Sequence, residues 1–336
     1  MSTPDENFQP PPPPSIEEAP RAPRPKKLLI IGIALLALGV IVAIAGIPKV
    51  GLIPGGIGTG AMMAFAGILL AGLSFVPLPV IPDSEMPLPF FSKLTGIFFE
   101  PSRVFRNLRV HPHWVGAWAV VVVLSVIYTF AFTQRITPER IVEHTIQKLS
   151  EMGPPFAPPA DRLEEMKESQ LKQLKNPIER VGTVIKSAGG LFVFGALIAA
   201  ICLLGSLAFG GRINYWQALS VVFYYWLPVV TIQKLLGLAI LYLKAPEDLH
   251  PILNQETTLQ DNLGILMTPA EHPVLFVLLS FIGLTWFYTL WLRAKGLHLG
   301  ATRMSSSAAW GVSITVYVLG IILLTIWSSL FSNFIS

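Results

Sequence analysis

Apolar residues fall in long unbroken blocks along most of this chain, and polar residues collect between the blocks. A helix rises about 1.5 Å per residue, so about 20 apolar residues cross a hydrocarbon layer about 30 Å thick. Seven blocks approach that length, near 28–47, 59–76, 114–132, 187–209, 216–242, 273–292 and 309–331. The pattern predicts an all-α fold, a polytopic transmembrane helix bundle in which a two-helix hairpin (28–76) precedes a five-span block within 90–336. Between them the stretch 77–89, PLPVIPDSEMPLP, is the clearest linker in the chain. Residues 1–27 form a Pro-rich tail with five consecutive prolines, Pro10–Pro14. Proline fixes φ and removes a donor, so this tail is expected to be extended, solvated and disordered. It serves as a spacer or as a ligand for an aromatic groove.

Two of the polar regions have a helical period of their own. In FFEPSRVFRNLRVHPHW, from Phe98 to Trp114, the residues Pro101, Val104, Phe105 and Leu108 share one arc. Arg103, Arg106, Asn107 and Arg109 lie opposite. An apolar stripe backed by arginines predicts an amphipathic helix over 98–110 lying in the plane of the bilayer interface. The preceding FFSKLTGIFF adds Lys93, and Pro101 separates two short turns. Such an element anchors the next span, or presents Lys93, Arg103, Arg106 and Arg109 to anionic lipid or to a partner. Each basic residue is worth about 1 kcal/mol near an anionic leaflet.

The loop 133–186 predicts two more amphipathic helices. Thr137 reads as an N-cap before Pro138, with Ile141, Thr145, Leu149 and Met152 on one face. After GPPFAPP, Leu163, Met166 and Leu174 share a side.

Composition strengthens the membrane assignment. The chain is 52% hydrophobic and only 13% charged, whereas soluble domains carry about 25% charged residues. Lipid must cover what charge does not. The first apolar run shows no cleavage site and is expected to remain in the mature protein. One cysteine, Cys202, excludes an internal disulfide and a Cys-based zinc site.

Charge orients the spans. One side collects Arg21, Arg24, Lys26, Lys27, Lys93, Arg103, Arg106, Arg109, Arg212, Arg293, Lys295 and Arg303. By the positive-inside rule that side, with the N-terminus, is cytoplasmic and the C-terminus is outside. The loop 133–186 dissents, with nine basic residues on the outer side.

Candidate chemistry is sparse. GGIGTGA lacks the strand that a dinucleotide loop needs, so Gly56, Gly60 and Ala64 are taken as a small-residue packing face. The seven spans hold no Asp and no Glu, which counts against a pump or coupled transporter. No histidine lies inside a span, and neither G-x-S-x-G nor H-E-x-x-H occurs. These features predict a non-enzymatic protein with no cofactor, no metal and no nucleic-acid partner. The exception is Lys234, which with Gln233 follows Pro228 in the fifth span. A lysine at membrane depth costs about 2.5–3.5 kcal/mol, which the surrounding aliphatic residues offset. Lys234 is therefore either a snorkelling or bundle-facing side chain, or part of a polar cavity opened by the Pro228 kink.

The series FEPSRVFRNLRVHPHW, TQRITPERI, NYWQALSVVFYYWLP, PEDLHP and NLGIL, set among five spans, resembles bacterial Yip1-domain proteins over about residues 90–331. The resemblance implies a five-helix membrane domain in the bacterial inner membrane, with the orientation given by charge. Eukaryotic members act in vesicle trafficking, bind small GTPases and influence membrane shape. Two features depart from the family: the DLYGP-type signature is absent, and Gly283 stands where bacterial members carry an aspartate. The reading that follows is a membrane-organising or adaptor component whose partners are anionic lipids of the cytoplasmic face, a protein, or a second copy. The alternative is a channel or transporter component built around Lys234, Gln233 and Pro228.

Overall fold

The computed structural model describes residues 24–47, 56–78, 86–151, 158–252, 254, 258–268 and 271–330. Nearly all of the Pro-rich tail and most of the 77–89 linker lie outside the described residues. Among the described residues the chain forms twelve α-helices. They are α1 (Lys26–Ala45), α2 (Gly56–Leu73), α3 (Phe90–Phe99), α4 (Pro101–Val110), α5 (Val115–Ile136) and α6 (Pro138–Glu151). There follow α7 (Ala160–Lys175), α8 (Pro177–Ala208), α9 (Tyr215–Leu243), α10 (Pro273–Ser280), α11 (Leu284–Gly300) and α12 (Ser306–Leu330). Six of these, α1, α2, α5, α8, α9 and α12, are long and apolar enough to cross a membrane.

Local sequence explains the helix starts. Asn176 accepts from the Ile178 amide at 2.9 Å while Pro177 takes the first helical position of α8. Asn214 and Gln217 form a reciprocal capping box at α9. The α1–α2 hairpin closes on small residues: a Cβ on Gly60 would lie 2.3 Å from the Ala43 nitrogen, and one on Gly39 2.5 Å from that of Ala64. Only glycine permits backbones this close. The predicted small face is therefore matched by Gly32 and Gly39 on α1 and by Gly46 at its C-cap, a seven-residue spacing. The rest of α1 shows Ile30, Ile33, Ile41 and Ile44 outward, as a lipid-facing helix should.

The span predicted at 273–292 is not one helix. It breaks at Phe281–Gly283 into α10 and α11, with Gly283 extended at φ −152° and ψ 162°. The backbone groups freed by the break are met from the loop before α10. The Leu263 amide donates to the Ile282 carbonyl at 3.0 Å, and the Thr285 amide donates to the Asp261 carboxylate at 2.6 Å. Irregular backbone is tolerated at membrane depth where protein satisfies it. No count of apolar residues within 273–292 reveals this, because the breaking partner lies about twenty residues upstream.

The loops sort to two faces. On one, the Arg212 amide donates to the Arg303 carbonyl at 2.7 Å, Trp216 Nε1 to the Val76 carbonyl at 3.2 Å, and Gln217 to the Arg109 carbonyl. On the other, Arg135 donates to the Lys244 carbonyl at 3.1 Å, and Arg140 to the carbonyls of Pro246, Glu247 and Leu249. Lys175 pairs with Glu139 at 2.6 Å and Lys167 with Glu143 at 3.5 Å. Several of the basic residues that dissent from the charge rule thus fasten α5, α6 and α7 to one another and to the 244–249 turn. The main core lies nearer the Arg212 face, where the Trp114 ring stacks on Phe192 at 5.3 Å and on Phe223 at 5.7 Å. A smaller cluster near the opposite face holds Tyr128, Phe132, Ile136, Leu241 and Leu249.

Candidate functional site

Two regions hold the residues singled out in the sequence, one on each face. On the Arg212 face, Glu100 breaks the helix at φ −128° and ψ 57°, and Pro101 opens α4. The apolar stripe of α4 is buried, with Phe105 and Leu108 at 0% and Val104 at 1% exposure. It does not rest on lipid, as an interfacial helix would. It packs on protein, chiefly α11, with α3 and α9 beside it. Gly296 makes the space: a Cβ there would lie 2.9 Å from Phe105 Cε1 and 2.7 Å from Val221 Cγ1.

The polar edge of α4 stays outward. Arg103, Arg106 and Arg109, with Leu88 and Asn107, line a shallow cleft of about 300 Å³. Asn107 pins the end of the linker there, donating to the Met86 carbonyl and accepting from the Leu88 amide, both at 3.3 Å. Arg103 also pairs with Glu100 at 3.3 Å, both side chains well exposed, so the pair adds at most about 1 kcal/mol. Lys93 departs from the expected surface. It is buried within the bundle at 4% exposure, and that burial lowers its pKa.

On the opposite face the structure separates the predicted group of Pro228, Gln233 and Lys234. Pro228 lies buried inside α9, which continues through it. Gln233 donates to Thr285 Oγ1 at 3.4 Å, and Thr285 Oγ1 donates in turn to Asp261 at 3.2 Å. Lys234 points elsewhere. Its ammonium lies 4.6 Å from the Tyr128 ring centroid, and its side chain forms part of the wall of a cavity of about 840 Å³. That cavity runs between α5, α6, α7 and α8, and Thr129, Thr133, Gln173, Glu179, Thr183 and Lys186 contribute to it. Thr137, the turn from α5 into α6, also lines it and is held at φ 70°. A β-branched residue in that region is strained, and such strain concentrates at functional sites.

Three residues of this architecture were not foreseen. Asp261 lies in a loop, outside the spans searched for carboxylates. Glu179 lies in the charged loop 133–186, in the first turn of α8, yet is 6% exposed. Arg293 falls one residue past the predicted span end, but α11 runs on to Gly300 and buries it at 5% exposure. Its guanidinium donates to Ser313 Oγ at 3.1 Å and to the Ser313 carbonyl at 3.0 Å, beside the Tyr225 ring. It is no loop charge. The length of the 244–272 loop was the one available signal, because loops beyond about 12–15 residues usually have a role. Among the described residues no three His, Cys, Asp or Glu side chains gather as metal ligands.

A family model for the Yip1 domain matches residues 95–328, from within α3 to near the end of α12. The chain belongs to the Yip1 domain family. No curated protein and no solved structure matches it. The Yip1 domain therefore contains both regions described above, while the glycine-packed hairpin α1–α2 lies outside it. With six helices able to cross a bilayer, this is an integral membrane protein of Yip1 type. Gly283, where the family resemblance places an aspartate, precedes the α11 N-terminus, and the Asp261 carboxylate reaches that N-terminus from the loop.

Proposed function

We propose that this Yip1-domain protein is a non-enzymatic, membrane-organising component that holds an anionic lipid face through α4. It acts in a bacterial inner membrane with the Arg212 face cytoplasmic, and a protein partner or a second copy shares the surface. One observation carries the reading: α4 spends its apolar stripe on the bundle, so Arg103, Arg106 and Arg109 stand in one cleft on a rigid support. Three guanidiniums near an anionic surface contribute about 3 kcal/mol, roughly a 100-fold preference.

The test compares phosphatidylglycerol with phosphatidylcholine in their thermal stabilisation of the solubilised protein. The intact chain should prefer phosphatidylglycerol, and Arg103→Gln/Arg106→Gln/Arg109→Gln should lose the preference without losing the fold. Equal stabilisation by both lipids in the intact chain sinks the reading. Crosslinking in native membranes then asks whether a partner or a second copy occupies the same cleft.

The cavity at Lys234 supports a second reading, as a channel or transporter component. The stacked Trp114, Phe192 and Phe223 fill the bundle between that cavity and the Arg212 face, so passage requires their rearrangement. Flux in proteoliposomes that is abolished by Lys234→Ala would establish it.

A further inference from the structure

We propose that the cavity between α5 and α8 binds an uncharged lipid with a hydroxyl-rich head, such as a glycosyl diacylglycerol, which enters sideways from the bilayer. Two hydroxyl stripes line it. Ser125, Thr129 and Thr133 recur every fourth residue along α5, and Thr183 and Ser187 do the same on α8. Ser125 lies eleven residues before Ile136, the last residue of α5, roughly 16 Å along the helix. The polar lining therefore reaches well inside the span. Small hydroxyl residues in membrane helices commonly serve close helix packing. Here Thr129, Thr183 and Ser187 are exposed rather than pressed against a neighbouring helix, so packing does not explain them.

The hydrogen bonds these hydroxyls already make decide what the ligand must offer. Thr129, Thr133 and Thr183 donate to the carbonyls of Ser125, Thr129 and Glu179 at 2.9, 2.8 and 2.9 Å. Their protons are taken and their lone pairs remain, so they call for donors on the ligand. Gln134 from α5 and Gln170 and Gln173 from α7 add amides to the lining, each able to donate and to accept. The charged side chains of the wall are engaged elsewhere. Lys234 rests on the Tyr128 ring, and Glu139 pairs with Lys175 at 2.6 Å. Glu179 is buried, its Oε1 closed to solvent. Arg180 Nε donates to the Leu174 carbonyl at 3.1 Å. Lys186 leans toward α2, its Cδ 3.9 Å from where a Cβ on Gly58 would lie. Hydroxyl and amide groups are left to select the ligand, and an uncharged head with several O–H donors matches them.

The rest of the wall selects a lipid over a soluble sugar. Val126, Phe130, Val184 and Leu191 line the same cavity. Phe130 is 39% exposed, in line with Ile127 at 49% and Val123 at 55% on the same helix. The mouth is therefore continuous with the lipid-facing side of α5, where acyl chains can trail into the bilayer. The volume of about 840 Å³ falls within the range of about 300–1,000 Å³ that suits a small-molecule site.

Native mass spectrometry of the full solubilised chain tests this with monoglucosyl diacylglycerol, diacylglycerol and phosphatidylglycerol of matched acyl chains. The intact chain should retain the glucosyl lipid about tenfold better than diacylglycerol, the worth of two ordinary hydrogen bonds. Thr129→Val/Thr133→Val keeps the shape of the wall and removes two acceptors, so it should erase most of that preference. Thr129→Ser/Thr133→Ser keeps the hydroxyls and should preserve it. Phosphatidylglycerol is compared in Arg103→Gln/Arg106→Gln/Arg109→Gln, where the α4 cleft no longer competes for it, and the glucosyl lipid should lead there. Equal retention of glucosyl lipid and diacylglycerol by the intact chain overturns the proposal without any variant. A lead for phosphatidylglycerol in the α4 variant also overturns it, because charge would then select the ligand. So does displacement of the glucosyl lipid by an equal concentration of methyl glucoside, which would mean that the acyl chains contribute nothing.

Discussion

Replacing Asp261 with alanine should loosen the start of α11 while leaving the rest of the bundle in place. The carboxylate accepts from the Thr285 amide at 2.6 Å and from Thr285 Oγ1 at 3.2 Å. It acts as an N-cap supplied from a distant loop, because Gly283 has no side chain to do so. Loss of an N-cap costs about 0.5–2 kcal/mol, and loss of a negative charge at a helix N-terminus adds about 0.3–1 kcal/mol. The sum, about 1–3 kcal/mol, corresponds to local opening about 5- to 150-fold more frequent. Hydrogen exchange in a peptide spanning 281–290 reads this directly, and Asp261→Asn, which keeps one acceptor, should fall between. The reverse experiment is as informative. Gly283→Asp adds a local cap, but its Cβ would lie 2.7 Å from the Asn262 Cβ and 3.0 Å from the Asp261 carbonyl oxygen. It should therefore expel the loop and fail to rescue Asp261→Ala. Unchanged exchange in Asp261→Ala, or full rescue by Gly283→Asp, would refute the capping argument.

Three further outcomes are expected. Phe105→Ala should cost about 3–5 kcal/mol and release α4, seen as a lower melting temperature together with faster tryptic cleavage at Arg103 and Arg106. Gly60→Val should cost about 1–3 kcal/mol by overpacking, because its Cβ would meet the α1 backbone at 2.3 Å, and a melting curve in detergent checks it. His250 lies against His144, ring centroids 4.8 Å apart, and its pKa is depressed from the ordinary 6.5 to about 4 by burial first, then by His144, Lys148 and Arg140. The folded state thus holds His250 neutral while the unfolded chain takes up a proton, so stability is complete above about pH 6.5 and falls as pH drops toward 4. Thermal melts across that window should show the loss, and His250→Gln should flatten it.

The amphipathic stretch around Phe98–Trp114 shows how far pattern reading reaches. Periodicity distinguishes the arc of Val104, Phe105 and Leu108 from the arginines, and Pro101 marks the start of α4. Periodicity does not say what the arc rests on. Lipid and a glycine-lined groove reward the same stripe, and Gly296 lies nearly two hundred residues away. Lys93 illustrates the converse: a lysine among apolar residues reads as a surface charge, while α3 turns it into the bundle. At the intramembrane site, Lys234 was visible as an anomaly of composition. Its surroundings were not, because Tyr128 and Glu179 come from other helices. The predicted association with Pro228 dissolved for a geometric reason, since six residues of helix separate the two by roughly 9 Å.

By itself the sequence determined that this chain lives in a bilayer, where α1, α2, α5, α9 and α12 begin and end to within about four residues, and which helix carries an arginine edge. These are local properties: run length, period and capping residues act within one or two turns. Tertiary structure alone decided that 273–292 breaks at Gly283, that Arg293 is buried on Ser313, and that Lys234 and Glu179 share a cavity. Each of those depends on polar groups that must find partners once water is excluded, and the partners lie on segments remote in the chain.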